Sequence, residues 1–160
     1  MSPTKTAIDI GIPEDARAAI ADGLTRVLAD SYTLYLKTHG YHWNVTGPHF
    51  QALHALFETQ YNELWIANDD LAERIRSLGF PAPGSGSALA AHATIAEADG
   101  VPSWDAMVAD LAAGHEALIR TIRDVRPLAE EHADESTIAL LDDRRSVSEK
   151  TAWMLRAHLE

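Results

Sequence analysis

Residues 50–78, FQALHALFETQYNELWIANDDLAERIRSL, decide the fold because their apolar residues keep helical spacing for about eight turns. The apolar positions that recur at this spacing are Phe50, Leu53, Phe57, Tyr61, Leu64, Leu71, Ile75 and Leu78. Gly79 and Pro81 follow directly, and both residue types are typical of a helix end. The pattern predicts a long amphipathic helix whose apolar stripe packs against other helices.

Three further stretches show the same periodicity, so the sequence predicts four long helices. Their approximate bounds are 14–45, 49–78, 103–126 and 136–159. Pro13 suits the first turn of the first helix, and Pro127 is expected to end the third. Ser103 and Ser136 are the expected N-caps of the third and fourth helices.

The lengths of the connections indicate how these helices pack. Only Thr46, Gly47 and Pro48 separate the first two helices, so they are expected to be antiparallel neighbours. Residues 80–102 are rich in Pro, Gly, Ser and Ala, which predicts a long crossover with one short helix. The predicted fold class is therefore all-α: a ferritin-like four-helix bundle with a long crossover between helices 2 and 3, in one domain over 1–160.

Composition and charge limit the function classes. With 160 residues, 46% of them apolar and 23% charged, the chain is expected to form one globular domain. Thirteen Lys and Arg against 24 Asp and Glu give a net charge of -11, which favours metal cations over nucleic acid as partners. The absence of Cys excludes disulfides and thiolate metal sites. The sequence shows no signal peptide or membrane span, so we expect a soluble, cytoplasmic protein.

A row of possible metal ligands lies beside the apolar stripe of residues 50–78. His54 with Glu58, and Asp69 with Glu73, are pairs spaced i, i+4, and all four fall within about 100° of the helix surface. His54 and Glu73 would be roughly 28 Å apart along a straight helix, whereas ligand bonds are about 2 Å long. One chain is therefore not expected to bring all four to a single ion.

The four positions are related by a two-fold operation. Reversing the helix about its middle, between residues 63 and 64, exchanges His54 with Glu73 and Glu58 with Asp69. Two antiparallel copies would therefore form two equivalent sites, each with ligands from both chains. We predict such a shared site at a dimer interface.

His42 lies at the end of the first helix and could join His54 from its own chain. A mixed set of imidazole and carboxylate ligands suits iron, manganese or zinc. No Glu is followed three residues later by His, so a di-iron site inside one bundle is not expected.

The same residues also allow simpler interpretations. A single His and acid pair on a helix is more often a solvated surface pair, by about four to one. Trp43 and Trp65 could be packing or interface residues. The acidic run 130–135, with Asp142 and Asp143, is either a solvated face or a cation-attracting pore. The histidines expected at surface or packing positions are His39, His49, His92, His115, His132 and His158.

Three stretches of the sequence resemble the Dps, or miniferritin, branch of the ferritin-like proteins. They are LKTHGYHWNVTGPHFQALHALFE at 36–58, DDLAERIRSLG at 69–79 and, more weakly, EKTAWML at 149–155. The resemblance implies a ferroxidase site shared across a dimer two-fold axis. It assigns the metal ligands as His42, His54, Glu58, Asp69 and Glu73, with Trp43 beside the site as an electron donor or quencher.

The resemblance further implies a hollow homo-dodecamer that oxidises Fe(II), preferably with hydrogen peroxide, and stores ferric mineral. Such a protein would protect the cell from oxidative damage. Many members bind DNA through a Lys-rich tail, but here only Lys5 precedes Arg17, and the sequence ends at LRAHLE. We therefore expect DNA binding to be weak or absent. The alternatives are a DNA-compacting structural protein of starved cells and a bundle with a structural Zn or Mn site.

Overall fold

The computed structural model describes residues 8–160, a range that contains five α-helices and no β-strand. The helices are α1 Glu14–Asn44, α2 Phe50–Ser77, α3 Gly86–Ala90, α4 Trp104–Glu130 and α5 Glu135–Arg156. The four long helices and the short helix in the crossover confirm the predicted all-α architecture. Lys5, which was counted for the DNA-binding expectation, lies outside the described residues.

The four long helices pack as a bundle in which α1 contacts α2 and α4, and α5 contacts α4 and α2. The apolar stripe of α2 forms the centre of the core, since Leu53, Phe57, Leu71 and Ile75 are fully buried. Tyr61 is only half-buried, because it lies at the edge of the stripe beside α1. Within the described residues, no helix is long and apolar enough to cross a membrane.

The expected end of the third long helix at Pro127 is wrong, because α4 continues to Glu130. Proline lacks an N–H and crowds the preceding turn, so it disfavours helix there but not in the residues that follow. The carbonyl of Pro127 accepts a hydrogen bond from the Glu131 N–H at 3.0 Å, and Ala129 is fully buried. Packing of this last turn on the core therefore extends the helix past the proline.

The expected N-cap at Ser136 is also wrong, because α5 begins at Glu135 and its cap is Asp134. The Asp134 carboxylate accepts hydrogen bonds from the Thr137 N–H at 3.1 Å and from Arg74 of α2 at 2.6 Å. Burial raises the pKa of Asp134, but the hydrogen bonds from Arg74 and Thr137 outweigh this effect and hold it below its usual value.

Three acids of the proposed solvated face or pore form ion pairs within the chain, one of them Glu130, which pairs with Arg126 at 3.1 Å. Asp134 is buried in its contact with Arg74, and Asp142 forms two hydrogen bonds with Arg126, at 2.8 and 3.1 Å.

Ser103 does occupy the N-cap position of α4, but its side chain makes no capping hydrogen bond to the backbone of the helix.

The crossover is attached to the bundle by Asp30, which is fully buried in α1. Its carboxylate accepts hydrogen bonds from the Thr94 N–H at 2.6 Å, the Thr94 hydroxyl at 2.8 Å and the Ile95 N–H at 3.1 Å. The Thr121 hydroxyl of α4 donates a fourth at 2.7 Å. One carboxylate thus joins α1, α4 and the end of the crossover.

His115 of α4 occupies a packing position in the core with only 2% of its surface exposed. Neither ring nitrogen has a hydrogen-bond partner within residues 8–160. Burial, followed by the charge of Arg144, lowers the pKa of His115 to about 4. The side chain is therefore neutral near pH 7.

We expect acid to destabilise the fold through His115. The unfolded histidine binds a proton near pH 6.5 and the folded one only near pH 4, so the unfolded state is favoured as the pH falls between these values. This difference corresponds to roughly 3 kcal/mol of unfolding free energy. Urea unfolding measures the free energy of unfolding at pH 7 and at pH 4.5. The decrease between these two pH values should be smaller for His115→Leu than for the unsubstituted protein. Equal losses would contradict the assignment.

Candidate metal centre

The turn between α1 and α2 brings His42 and His54 together. Gly47 adopts a φ of 105° in this turn, a conformation that favours glycine, and its carbonyl accepts a hydrogen bond from the Phe50 N–H at 3.1 Å. The two imidazole rings stack with centroids 3.7 Å apart and planes 20° apart. The last turn of α1 and the first turns of α2 thus place two predicted ligands side by side.

Reciprocal hydrogen bonds fix the orientation of both rings. Nδ1 of His42 donates to the carbonyl of His54, and Nδ1 of His54 donates to the carbonyl of His42, each at 2.8 Å. A carbonyl oxygen can only accept, so both Nδ1 atoms carry a proton, and in the neutral form of each ring the lone pair is on Nε2. This arrangement is typical of metal-binding histidines, whose second nitrogen is held by a backbone carbonyl.

The three predicted carboxylates are exposed on α2. Glu58 lies one turn after His54, while Asp69 and Glu73 lie farther along the helix. Within the described residues, none of the three forms an ion pair, whereas Glu63 between them is paired with Arg144. The carboxylates thus remain available to a cation.

One chain does not assemble the whole predicted ligand set. Within residues 8–160, no group of three or more His, Asp or Glu side chains comes together as a possible metal-binding cluster. The structure brings His42 and His54 together and leaves Asp69 and Glu73 separate from them.

Trp43 is 67% exposed and contacts His39, with ring centroids 4.2 Å apart. His39 also stacks on Tyr61 at 4.0 Å, between the paired histidines and Trp43. Burial, followed by the charge of His42, lowers the pKa of His39. No role at the site is predicted for His39 from the sequence, although its spacing of four from both Tyr35 and Trp43 indicates one aromatic face on α1.

A groove of about 620 Å³ lies on the same side of the molecule, between α1, α2 and the crossover. Trp65, Asp69 and Asp70 of α2 line it together with Tyr32 of α1. Apolar rings and acidic side chains therefore meet in one open depression near the middle of α2.

The bundle connectivity and the paired histidines define a ferritin-like helical protein. A family model described as a ferritin-like domain matches residues 21–160. A DNA protection during starvation protein of Brevibacillus brevis is 39% identical over 137 residues, which cover 86% of this chain and 92% of that protein. The chain belongs to the Dps proteins of the ferritin-like family.

Two further comparisons agree with this assignment. A low-temperature-induced protein of Nostoc sp. is 42% identical over 155 residues, covering 96% of this chain and 87% of that protein. The crystal structure of a Dps protein from Vibrio cholerae O1, described as a ferritin-like diiron-carboxylate protein, superposes with a TM-score of 0.91. It is 35% identical, and the match covers 100% of both chains.

Proposed function

We propose that the protein oxidises Fe(II) at sites shared between two copies of the chain and stores the ferric product in a hollow shell. The reciprocal hydrogen bonds between His42 and His54 carry this proposal, because they leave two lone pairs directed as metal ligands. The diiron-carboxylate description of the Vibrio cholerae structure supports iron as the substrate. We place this activity in the cytoplasm, where it would protect the cell from oxidative damage.

A second copy of the chain supplies the missing carboxylates in this proposal. A two-fold axis through the middle of α2 places Asp69 and Glu73 of one copy against His54 and Glu58 of the other. Trp65 and Ile66 lie next to this axis and are 59% and 64% exposed, which favours coverage by another molecule. Each dimer would then contain two equivalent iron sites, and dimers would assemble into a dodecamer.

The chemistry requires two electrons for each peroxide. Two Fe(II) ions give one electron each, and hydrogen peroxide with two protons becomes two molecules of water. Carboxylates from both copies neutralise the charge of the iron, while the Nε2 atoms of His42 and His54 complete the ligand set. Trp43, beside the site through His39, would supply or quench single electrons. Zinc or manganese in a structural role fits the same ligand types.

DNA compaction is the other function to consider, since the Brevibacillus brevis relative is named for DNA protection. Compaction needs a cationic surface, because affinity for DNA depends on the number of phosphate contacts made by Lys and Arg. The net charge of -11 therefore disfavours it. We expect DNA binding to be weak or absent in this protein.

Iron loading tests the proposed function. The protein is supplied with Fe(II) and hydrogen peroxide, then analysed by light scattering on a sizing column with iron counted in the protein peak. We expect a large shell that retains far more iron than two ions per chain. His42→Ala should lower the initial rate of iron oxidation by at least about tenfold.

The matched control is His92→Ala, which removes an exposed histidine from the crossover. It should load iron as the unsubstituted protein does. A monomer or dimer with two ions or fewer per chain would contradict storage. Tight zinc or manganese binding without iron oxidation would instead support the structural-metal alternative.

A further inference from the structure

A row of aromatic side chains connects the paired histidines to an exposed tryptophan. Along this row, the ring centroids of His42 and Tyr61 are 5.2 Å apart, those of Tyr61 and Tyr35 6.4 Å, and those of Tyr35 and Trp65 5.7 Å. All three separations are in the range of direct ring contact. The row crosses between α1 and α2 and ends in the groove that contains Asp69.

His39 branches from this row toward a second tryptophan. It stacks on Tyr61 at 4.0 Å, and its ring centroid is 5.7 Å from Tyr35 and 4.2 Å from Trp43. Within the described residues, the contacts of Trp65 with this row pass through Tyr35. Tyr35 is therefore the connection to Trp65 that a substitution can interrupt.

Core packing does not account for the ends of the row. Trp43 and Trp65 are 67% and 59% exposed, so they bury little apolar surface in this chain. Tyrosine and tryptophan are the aromatic side chains that lose one electron most readily. Electron transfer between them is fast when the rings are in contact, because electronic coupling falls steeply with distance.

We propose that Tyr61, Tyr35 and Trp65 form a relay that carries a one-electron oxidising equivalent from the iron site to the groove. The relay rests on the proposed ferroxidase function, because its oxidant forms when Fe(II) at the iron site reacts with hydrogen peroxide. It serves a site that holds only one Fe(II) when hydrogen peroxide arrives, so that the second electron must come from elsewhere.

Each step of the relay balances. One Fe(II) and hydrogen peroxide give Fe(III), hydroxide and a hydroxyl radical, which takes a hydrogen atom from the Tyr61 phenol to form water. Tyr35 then passes one electron and one proton to Tyr61, and Trp65 passes the same to Tyr35. A further Fe(II) with one proton restores Trp65 and becomes Fe(III). The hydroxide from the first step takes up one proton and becomes water. The sum of the steps is then the same as the two-electron reaction: two Fe(II), one hydrogen peroxide and two protons give two Fe(III) and two water molecules.

Two features of the relay support coupled proton and electron transfer and the final reduction of Trp65. Burial, followed by the neighbouring Tyr32 and Tyr61, raises the pKa of Tyr35, so its phenol is neutral and its proton moves with the electron. Asp69 and Asp70 line the groove beside Trp65, and in the proposed dimer Asp69 belongs to the second shared iron site, so Fe(II) bound at that site is the reductant that restores the tryptophan.

The relay is tested by substoichiometric Fe(II) and excess hydrogen peroxide, so that no Fe(II) remains to restore Trp65. Radicals are trapped by rapid freezing for electron paramagnetic resonance, and oxidised residues are mapped by mass spectrometry. We expect a tryptophan radical and oxidation of Trp65 well above that of Trp153. Trp153 is 67% exposed and contacts no other aromatic ring within the described residues, so it reports attack by freely diffusing radicals.

Tyr35→Phe keeps the ring but removes the oxidisable phenol from the relay. We expect oxidation of Trp65 to fall to the level of Trp153, while the rate of iron oxidation with saturating Fe(II) is unchanged. Tyr32→Phe is the matched control, because Tyr32 contacts Tyr35 at 5.6 Å but lies outside the path. This control should leave the oxidation of Trp65 as it is in the unsubstituted protein.

The outcomes separate the relay from the function on which it rests. If the unsubstituted protein oxidises iron but Tyr35→Phe leaves the oxidation of Trp65 unchanged, the relay is wrong and the ferroxidase proposal stands. Equal oxidation of Trp65 and Trp153 would overturn the relay in the same way. If the unsubstituted protein oxidises no iron, the ferroxidase proposal itself fails.

Discussion

Mixing His54→Ala subunits with Asp69→Ala subunits is expected to restore about a quarter of the ferroxidase activity, although each variant alone has almost none. In a mixed dimer, one shared site carries both substitutions, and the other takes its histidine and its carboxylate from unsubstituted positions. Random pairing makes about half of all dimers mixed, each with one intact site of two. The two variants are unfolded together, refolded, and assayed for iron oxidation.

The control places both substitutions in one chain and mixes this double variant with the unsubstituted protein in equal amounts. Every mixed dimer then has no intact site. About a quarter of the full activity should remain, because only the dimers of two unsubstituted chains are active. If each site were confined to one chain, this control would retain about half of the full ferroxidase activity. The first mixture would then show no recovery of activity. Either result would show that the site is not shared between copies.

Replacing Asp30 by Ala is expected to produce the largest loss of stability among the polar positions of the core. It removes the acceptor of four hydrogen bonds, leaves the buried Ile95 N–H without a partner, and leaves the Thr121 hydroxyl only a long contact of 3.4 Å with the Ala117 carbonyl. Leaving a buried hydrogen-bond donor without an acceptor costs about 1–3 kcal/mol for each donor, so the total loss of stability should amount to several kcal/mol. The measurement is urea unfolding near pH 7.

The crossover should respond to the same substitution. Ser85, Gly86 and Leu89 line the groove, and Asp30 holds the later part of the crossover through Thr94. We expect faster proteolysis within residues 80–102 in Asp30→Ala. The matched control is Thr25→Ala, which removes only a bond to the Ala21 carbonyl within α1. If proteolysis within residues 80–102 were no faster in Asp30→Ala than in Thr25→Ala, the Asp30 carboxylate would not hold the crossover.

The helices and the paired histidines could be predicted from the sequence because both depend on local spacing. The apolar period of residues 50–78 selects a helix, and a three-residue turn forces the next helix back along it. The same turn brings His42 close to His54, and this proximity does not depend on how α4 and α5 pack. The predicted sharing of the site with Asp69 and Glu73 follows from spacing on one helix and stays a prediction.

The features that the sequence analysis missed depend on contacts between residues distant in the chain. Pro127 lies inside α4 because the turn after it packs on the core. Asp134 caps α5 in place of Ser136 because Arg74, on another helix, also binds the same carboxylate. His39 joins the aromatic row only where α1 and α2 place it against Tyr61.

The sequence by itself determined the helical class, the long crossover, the close pair of histidines and the excess of negative charge. These follow from periodicity, turn length and composition, which act over a few residues or over the whole chain without regard to shape. Only the tertiary structure decided which imidazole nitrogens carry lone pairs, how Asp30 holds the crossover, and that Tyr35 connects to Trp65. Hydrogen bonds and ring contacts depend on distances of a few ångströms between elements, and no spacing along the chain specifies them.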